Sequence, residues 1–306
     1  MNILVLGGHG FFGRNIVKKL RDTDHCVVPL SRRDGLDLGD LNGTTNYFKE
    51  INPHVIINCA AHVGSLHYVS TNAGDVIHDN TQMALNLYLA TKNSCPQARI
   101  INPLSNCSYP GEANIHYESQ WWMGEVHDSV FSYANSKRFL YTVSKSYHKQ
   151  YQIESVNFLV PNTFGPGDTV DPNKTHAVNG MIIRMLKAKI NNDKEFEIWG
   201  TGSPIREWGY IDDVVDIILK GITIDHDLLY PVNIAQNMGF TIKESAEFIA
   251  EAVGFEGDLV FNTNYQDGAP SKLLDDQLFK TIFNKYSFTD HQTAIQKTVN
   301  YYKTII

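Results

Sequence analysis

Apolar and polar positions come in blocks along the first half of the chain. Residues 3–6, 26–30, 55–58, 99–102 and 155–160 are short apolar runs. They are continuous rather than polar-alternating, which suits strands covered on both faces. Residues 12–20, 75–92 and 133–150 lie between them and carry helical patterns. In 75–92, Val76, Met83, Leu85, Leu87 and Leu89 are apolar at mixed spacing, which predicts a helix buried over a broad face. Strands alternating with helices imply βαβ units and a parallel sheet.

After Val160 the texture changes. Residues 161–175 are rich in Pro, Gly, Asn and Asp and read as loop. Helices are expected over 178–189, 212–220 and 241–253, the last opened by a capping box of Thr241 and Glu244. Strands are expected over 195–199 and 231–235, the second of these returning to the first sheet. The expected fold is α/β: a Rossmann-type doubly wound parallel sheet over residues 1–165, and a smaller, interleaved C-terminal substrate domain over 166–306.

Composition narrows the function. The chain has 306 residues, 26 Lys plus Arg against 33 Asp plus Glu, and a net charge of −7. That balance argues against a general nucleic-acid or anionic-membrane binder, while leaving room for a local basic pocket. No apolar run approaches the ~18–20 residues of a membrane-spanning helix. The N-terminus reads as a strand and not as a signal peptide. The four cysteines (Cys26, Cys59, Cys95, Cys107) have no CxxC spacing. A cytoplasmic enzyme without a metal is expected.

Gly7, Gly10 and Gly13 follow the first strand with GxxGxxG spacing and open the first helix. Residues without Cβ let backbone N–H groups approach a pyrophosphate, and the helix start favours its charge. A tight turn without a ligand has the same local pattern. The second strand ends in Ser31-Arg32-Arg33 with no acid before Asp34. Two guanidiniums and a hydroxyl suit a ribose 2′-phosphate, which points to NADPH (NADP) as cofactor.

Tyr133 and Lys137 are four apart on a predicted helix and so share a face. A neighbouring ammonium is expected to lower the phenol pKa and make it a usable acid. Ser105 follows the fourth strand, where a hydroxyl can hydrogen-bond a substrate carbonyl. A glycine turn, a serine and Tyr-xxx-Lys in this order form a combined signal for carbonyl reduction.

With these motifs the chain resembles the extended short-chain dehydrogenase/reductase superfamily, and within it the GDP-L-fucose synthase family. The likeness runs through Ala60-Ala61-His62-Val63-Gly64, Ser105-Asn106-Cys107-Ser108-Tyr109-Pro110, Asn162-Thr163-Phe164-Gly165-Pro166, the segment from Trp199 to Glu207 and the segment from Asp267 to Asp275. It implies NADPH-dependent reduction at C4, with C3/C5 epimerisation, of a GDP-4-keto-6-deoxy sugar, hexose or heptose. Ser105, Tyr133 and Lys137 would carry the reduction, Cys107 and His176 the epimerisation, and Asn80 a proton relay. Cofactor contacts would come from Gly7, Gly10, Phe11, Phe12, Gly13, Ser31, Arg32, Arg33, Asp37, Leu38, Ala60, Ala61, Lys137 and His176. Substrate contacts would come from Ser105, Asn106, Cys107, Tyr133, Asn162, Arg184, Trp199, Arg206 and Lys272. The superfamily also implies a homodimer built on helices 75–92 and 133–150.

The sequence departs from the family at several places. His9 replaces an Arg in the glycine turn, Asn106 replaces a Ser, Ser271 replaces an Arg beside Lys272, and segment 118–130 with Trp121-Trp122 differs altogether. Those tryptophans fit a sugar or base platform, a pocket cover or plain packing. Three other activities stay open on sequence alone: a C4-reductase without epimerisation, a redox-neutral epimerase retaining its cofactor, and a silent dinucleotide-binding protein.

Overall fold

The computed structural model describes residues 1–172, 174–265 and 267–306. Asn173, inside the segment read as loop, and Gln266 lie outside it. In chain order the elements are β1 (Asn2–Leu6), α1 (Phe11–Leu20), β2 (Cys26–Leu30), α2 (Leu41–Ile51), β3 (Val55–Asn58), α3 (Leu66–Thr71), α4 (Ala73–Ser94), β4 (Arg99–Ser105), β5 (Ile115–His116), α5 (Phe131–Tyr151), β6 (Ser155–Val160) and β7 (Asn162–Phe164). There follow α6 (Ala177–Asn191), β8 (Glu195–Trp199), β9 (Ile205–Tyr210), α7 (Ile211–Lys220), β10 (Val232–Asn233), β11 (Gly239–Thr241), α8 (Ile242–Val253), β12 (Asp258–Asn262), β13 (Ser271–Leu274), α9 (Gln277–Ile282) and α10 (His291–Lys303).

The apolar runs form a six-stranded parallel sheet in the order β10-β6-β4-β3-β1-β2. Ile3–Leu6, Ile56 and Ile57 have no exposed surface, as expected of strands covered on both faces. The order reverses between β1 and β3, so the crevice at their C-terminal ends is a topological switch point, where such sheets bind ligands. Among the described residues no helix is long and apolar enough to cross a membrane.

The two halves of the chain are exchanged across the fold. Val232 and Asn233 pair with Phe158 and Leu159 and complete the first sheet. In return, β5 leaves the first half and pairs with β13 in a second, mixed sheet of order β11-β9-β13-β5, with β7 beside β9. Residues 162–164, read from sequence as loop, are therefore a short strand, because Asn162–Phe164 run parallel to Trp208–Tyr210. The same apolar cluster holds Ile3 and Val5 of β1 and Ile182 and Val299 of α6 and α10, so the units share one core.

Candidate active site

The glycine turn sits at the switch point. Gly7 has φ +70°, and a Cβ there would lie 2.8 Å from the Cys59 carbonyl carbon. A Cβ on Gly13 would lie 2.2 Å from the Gly7 oxygen. The turn thus packs backbone on backbone, which only glycine allows. Gly10 caps α1 without a side-chain hydrogen bond, and no acid occupies the first turn. That leaves a helix start suited to a phosphate. Phe11 and Phe12 open the helix, and Arg14, which the sequence patterns did not single out, donates to the His9 carbonyl oxygen (2.9 Å).

Beyond β2, Ser31 caps a short 3-10 turn. Asp34 accepts from the Ser31 amide and hydroxyl and pairs with His9 (2.9 Å). The His9 pair, the largest cause, holds the Asp34 carboxyl below its ordinary value. His9 is thereby committed to a carboxylate, whereas the exposed Arg32 and Arg33 guanidiniums have no hydrogen bond or ion pair among the described residues. Asp37 is exposed and Leu38 buried, its carbonyl oxygen accepting from Asn86. Ala60 and Ala61 continue from β3 opposite the turn. The donor set of glycine turn, uncapped helix start and two unpaired guanidiniums fits a 2′-phosphorylated dinucleotide.

The reaction end lies at the C-terminal edge of β4. Ser105 ends the strand and its Oγ accepts from the Cys107 amide (3.2 Å). Tyr133 and Cys107 pack on the same small apolar cluster. Lys137, one turn on in α5, lies with Nζ 5.4 Å from the Tyr133 ring centroid. The expectation that Lys137 lowers the phenol is reversed. Burial dominates both groups, pushing the Tyr133 phenol well up and the Lys137 amine down to about 8. A raised phenol keeps its proton at neutral pH.

One cation from the second sheet touches the thiol, and a second acts on it by charge. Strands β9 and β13 pair Arg206 with Lys272. Lys272 Nζ donates to Cys107 Sγ at 3.2 Å. Burial alone would raise the Cys107 thiol, but the Lys272 charge, hydrogen bonds from Ser105 and Lys272, and Arg206 together hold it below the ordinary thiol range. Nothing in the sequence spacing showed this contact, because 165 residues separate its partners.

His176 caps α6 and its ring lies 5.2 Å from that of Phe11. No direct hydrogen bond joins it to Cys107. Its Nδ1 faces Asp168 at 3.0 Å, and its Nε2 has no hydrogen-bond partner among the described residues. Asp168 was not singled out from sequence; the available signal was its place in Gly165-Pro166-Gly167-Asp168, eight residues before the histidine.

Other expected residues fall as follows. Asn80 is buried, and both ends of its amide hold the His62 backbone, at 3.0 and 2.8 Å. It clamps the loop after β3. Asn106 and Asn162 each bury an amide nitrogen that has no partner among the described residues. Arg184 stacks over Trp199 (4.6 Å), which stacks in turn on Tyr265 (4.9 Å). The tryptophan pair divides. Trp121 is fully buried and donates to Ser108 (2.8 Å), while Trp122 lies over Arg138.

A parallel sheet with a glycine turn at its switch point, and Ser, Tyr and Lys at the edge of its fourth strand, defines a short-chain dehydrogenase/reductase of the extended type. The chain belongs to the NAD dependent epimerase/dehydratase family, whose pattern matches residues 3–232. A putative GDP-L-fucose synthase 2 from Arabidopsis thaliana is 31% identical over 89% of this chain and 83% of its own length. A GDP-L-colitose synthase from Yersinia pseudotuberculosis is 29% identical over 99% and 98%. A crystal structure of a GDP-L-fucose synthetase from Naegleria fowleri superposes with a TM-score of 0.88 at 25% identity, covering 99% of this chain and 93% of that one.

Proposed function

We propose that the protein is an NADPH-dependent epimerase/reductase acting on a GDP-4-keto-6-deoxy sugar, hexose or heptose. The observation that carries this reading is the Lys272–Cys107 contact beside Ser105 and Tyr133. A plain C4-reductase needs a hydroxyl and a phenol, but it has no use for a thiol held down by two cations. The names of the related synthases support a guanosine-diphosphate sugar.

The chemistry follows from the groups. A C4 ketone acidifies the hydrogens on C3 and C5. Cys107, held toward its thiolate, and His176, with a free Nε2, are the two proton-transfer groups. Ser105 and Tyr133 are the donors for the developing enolate oxygen. The glycine turn, Arg32, Arg33 and Lys137 would hold the dinucleotide, whose chemistry would be hydride supply at C4. Tyr133, with its proton retained by burial, then protonates the C4 oxygen. Arg206, Lys272 and the Arg184–Trp199 stack are the proposed contacts to the diphosphate and base, and Asn106 and Asn162 the buried donors to the sugar.

We further propose a homodimer through α4 and α5, where Leu85 of α4 is 41% exposed, and a cytoplasmic setting suited to four free thiols. The test of the activity is one reaction in D₂O with GDP-4-keto-6-deoxy-D-mannose and NADPH. Stoichiometric cofactor oxidation with deuterium on C3 and C5 is expected. Oxidation without carbon-bound deuterium reduces the activity to C4 reduction. Deuteration without net oxidation identifies a redox-neutral epimerase.

A further inference from the structure

We propose that Asp168 is the positioning residue of the acid–base group His176: it fixes the ring's tautomer and orientation so that Nε2 is the atom that exchanges protons with the sugar. This rests on the epimerisation read above. Asp168 lies in the chain just before α6, and its side chain is 2% exposed against 37% for His176. One carboxylate oxygen, Oδ2, accepts from the His176 amide (2.8 Å), His176 Nδ1 (3.0 Å), Asn179 Nδ2 (2.9 Å) and Thr175 Oγ1 (3.2 Å). The other, Oδ1, accepts from the Thr169 amide (2.8 Å). The carboxylate is therefore saturated with donors, and a carboxylate can only accept.

Three consequences follow. Nδ1 carries the proton, so neutral His176 presents a lone pair at Nε2. The ring cannot turn over without breaking the Oδ2 contact, and Phe11 packs at 5.2 Å beside it. When Nε2 takes a proton from C3 or C5, the bonding electrons pass to the C4 oxygen as an enolate, and the imidazolium stands against the Asp168 carboxylate. Inversion then needs the second group, Cys107, to return a proton to that carbon; in the opposite sense Cys107 removes the proton and Nε2 delivers one. Asp168 remains ionised throughout. Burial opposes that charge, but the His176 hydrogen bond and charge, its amide and Asn179 outweigh the burial and lower the carboxyl. Ionisable groups near the pair among the described residues include Arg14 of α1, against Gly167, Tyr302 of α10, and Asp171, whose carbonyl oxygen accepts from the Thr175 amide. The dyad is built from one short stretch of chain but is braced from outside it, since Asn15 of α1 donates to the Pro166 carbonyl oxygen (3.1 Å).

Two readouts test this. The first is ¹⁵N NMR of histidine-labelled protein without substrate, with the His176 signals identified by their loss in His176→Gln. In the neutral form of the ring the proton is expected on Nδ1, and a neutral ring protonated at Nε2 overturns the proposal whatever the enzyme does. The second is deuterium exchange into C3 and C5 of GDP-4-keto-6-deoxy-D-mannose, compared with the rate of C4 reduction. Asp168→Asn is expected to slow exchange at one carbon by about a hundredfold, with a far smaller loss of reduction. Equal loss of both rates, with a lower melting temperature, identifies a merely structural carboxylate and overturns the proposal, as does unchanged exchange. No exchange in the unaltered protein refutes the epimerase reading itself, while the tautomer signal still reports separately on Asp168.

Discussion

Cys107 shows how a single side chain is tuned against its surroundings. Burial works against a thiolate, and Lys272 with Arg206 works for it; the direction of the shift says that the cations win. Replacing Lys272 by Met removes both the charge and the N–H donated to sulfur. Alkylation of Cys107 by iodoacetamide at pH 7, followed by peptide mass spectrometry, is expected to slow severalfold, and its half-maximal pH to move upward. An unaltered profile would show that Arg206 and Ser105 suffice. The residue scale is also where sequence reasoning erred. Two groups spaced four apart on a helix were expected to lower the Tyr133 phenol by charge, but both are desolvated together, and desolvation is a property of the packing around them. Trp121 and Trp122 make the same point, since adjacent identical residues divide between core and surface.

At the scale of elements, the β1–turn–α1 unit was legible because its requirements are local. The apolar run, the glycines and the amphipathic helix are neighbours in sequence, and each constrains the next. Gly13→Ala places a methyl 2.2 Å from the Gly7 oxygen, a backbone atom that cannot swing aside. A loss of NADPH affinity is expected by fluorescence titration, with a destabilisation of about 1–3 kcal/mol in thermal melts. Affinity equal to that of the unaltered protein would remove the turn from the cofactor site. By contrast, β9 was not read as a strand. Its sequence, Ile-Arg-Glu-Trp-Gly-Tyr, buries Arg206 and Glu207 where the apolar-run rule demands aliphatic residues. The short β13 and the helices α2 and α10, whose sequences are rich in polar residues, were also missed. The capping box of α8 was legible, and Thr241 accepts from the Glu244 amide at 3.0 Å.

Across the whole molecule, Glu207 ties the exchanged parts together. Its carboxylate accepts from the Gln236 amide (2.6 Å), just beyond β10, and from the Leu274 amide (2.9 Å) in β13. Burial pushes its carboxyl up to about 7 in spite of those bonds. The folded protein therefore holds this proton more tightly than the unfolded chain, whose glutamate titrates near 4.5. The contribution to stability is full below that value and is lost as pH rises through about 7. Urea denaturation at pH 5 and pH 8 is expected to show Glu207→Gln with a smaller fall in stability than the unaltered protein, by roughly 2–3 kcal/mol. At pH 5 the variant is expected to be the less stable of the two, because an amide offers one acceptor where the carboxyl has two. Parallel pH dependences would place the titration elsewhere.

The sequence by itself determined the βα units of the first sheet, the glycine turn, the Tyr133–Lys137 pair and the return of residues 232–233 to that sheet. All are set by backbone preferences and apolar periodicity over a few residues, or by an apolar run that only a covered strand can satisfy. The tertiary structure alone decided that Lys272 meets Cys107, that Asn80 holds the His62 loop, that Asp168 holds His176, and which tryptophan is buried. Those outcomes depend on distances between segments far apart in sequence and on how much water each group loses. Neither is written in the spacing of residues along the chain.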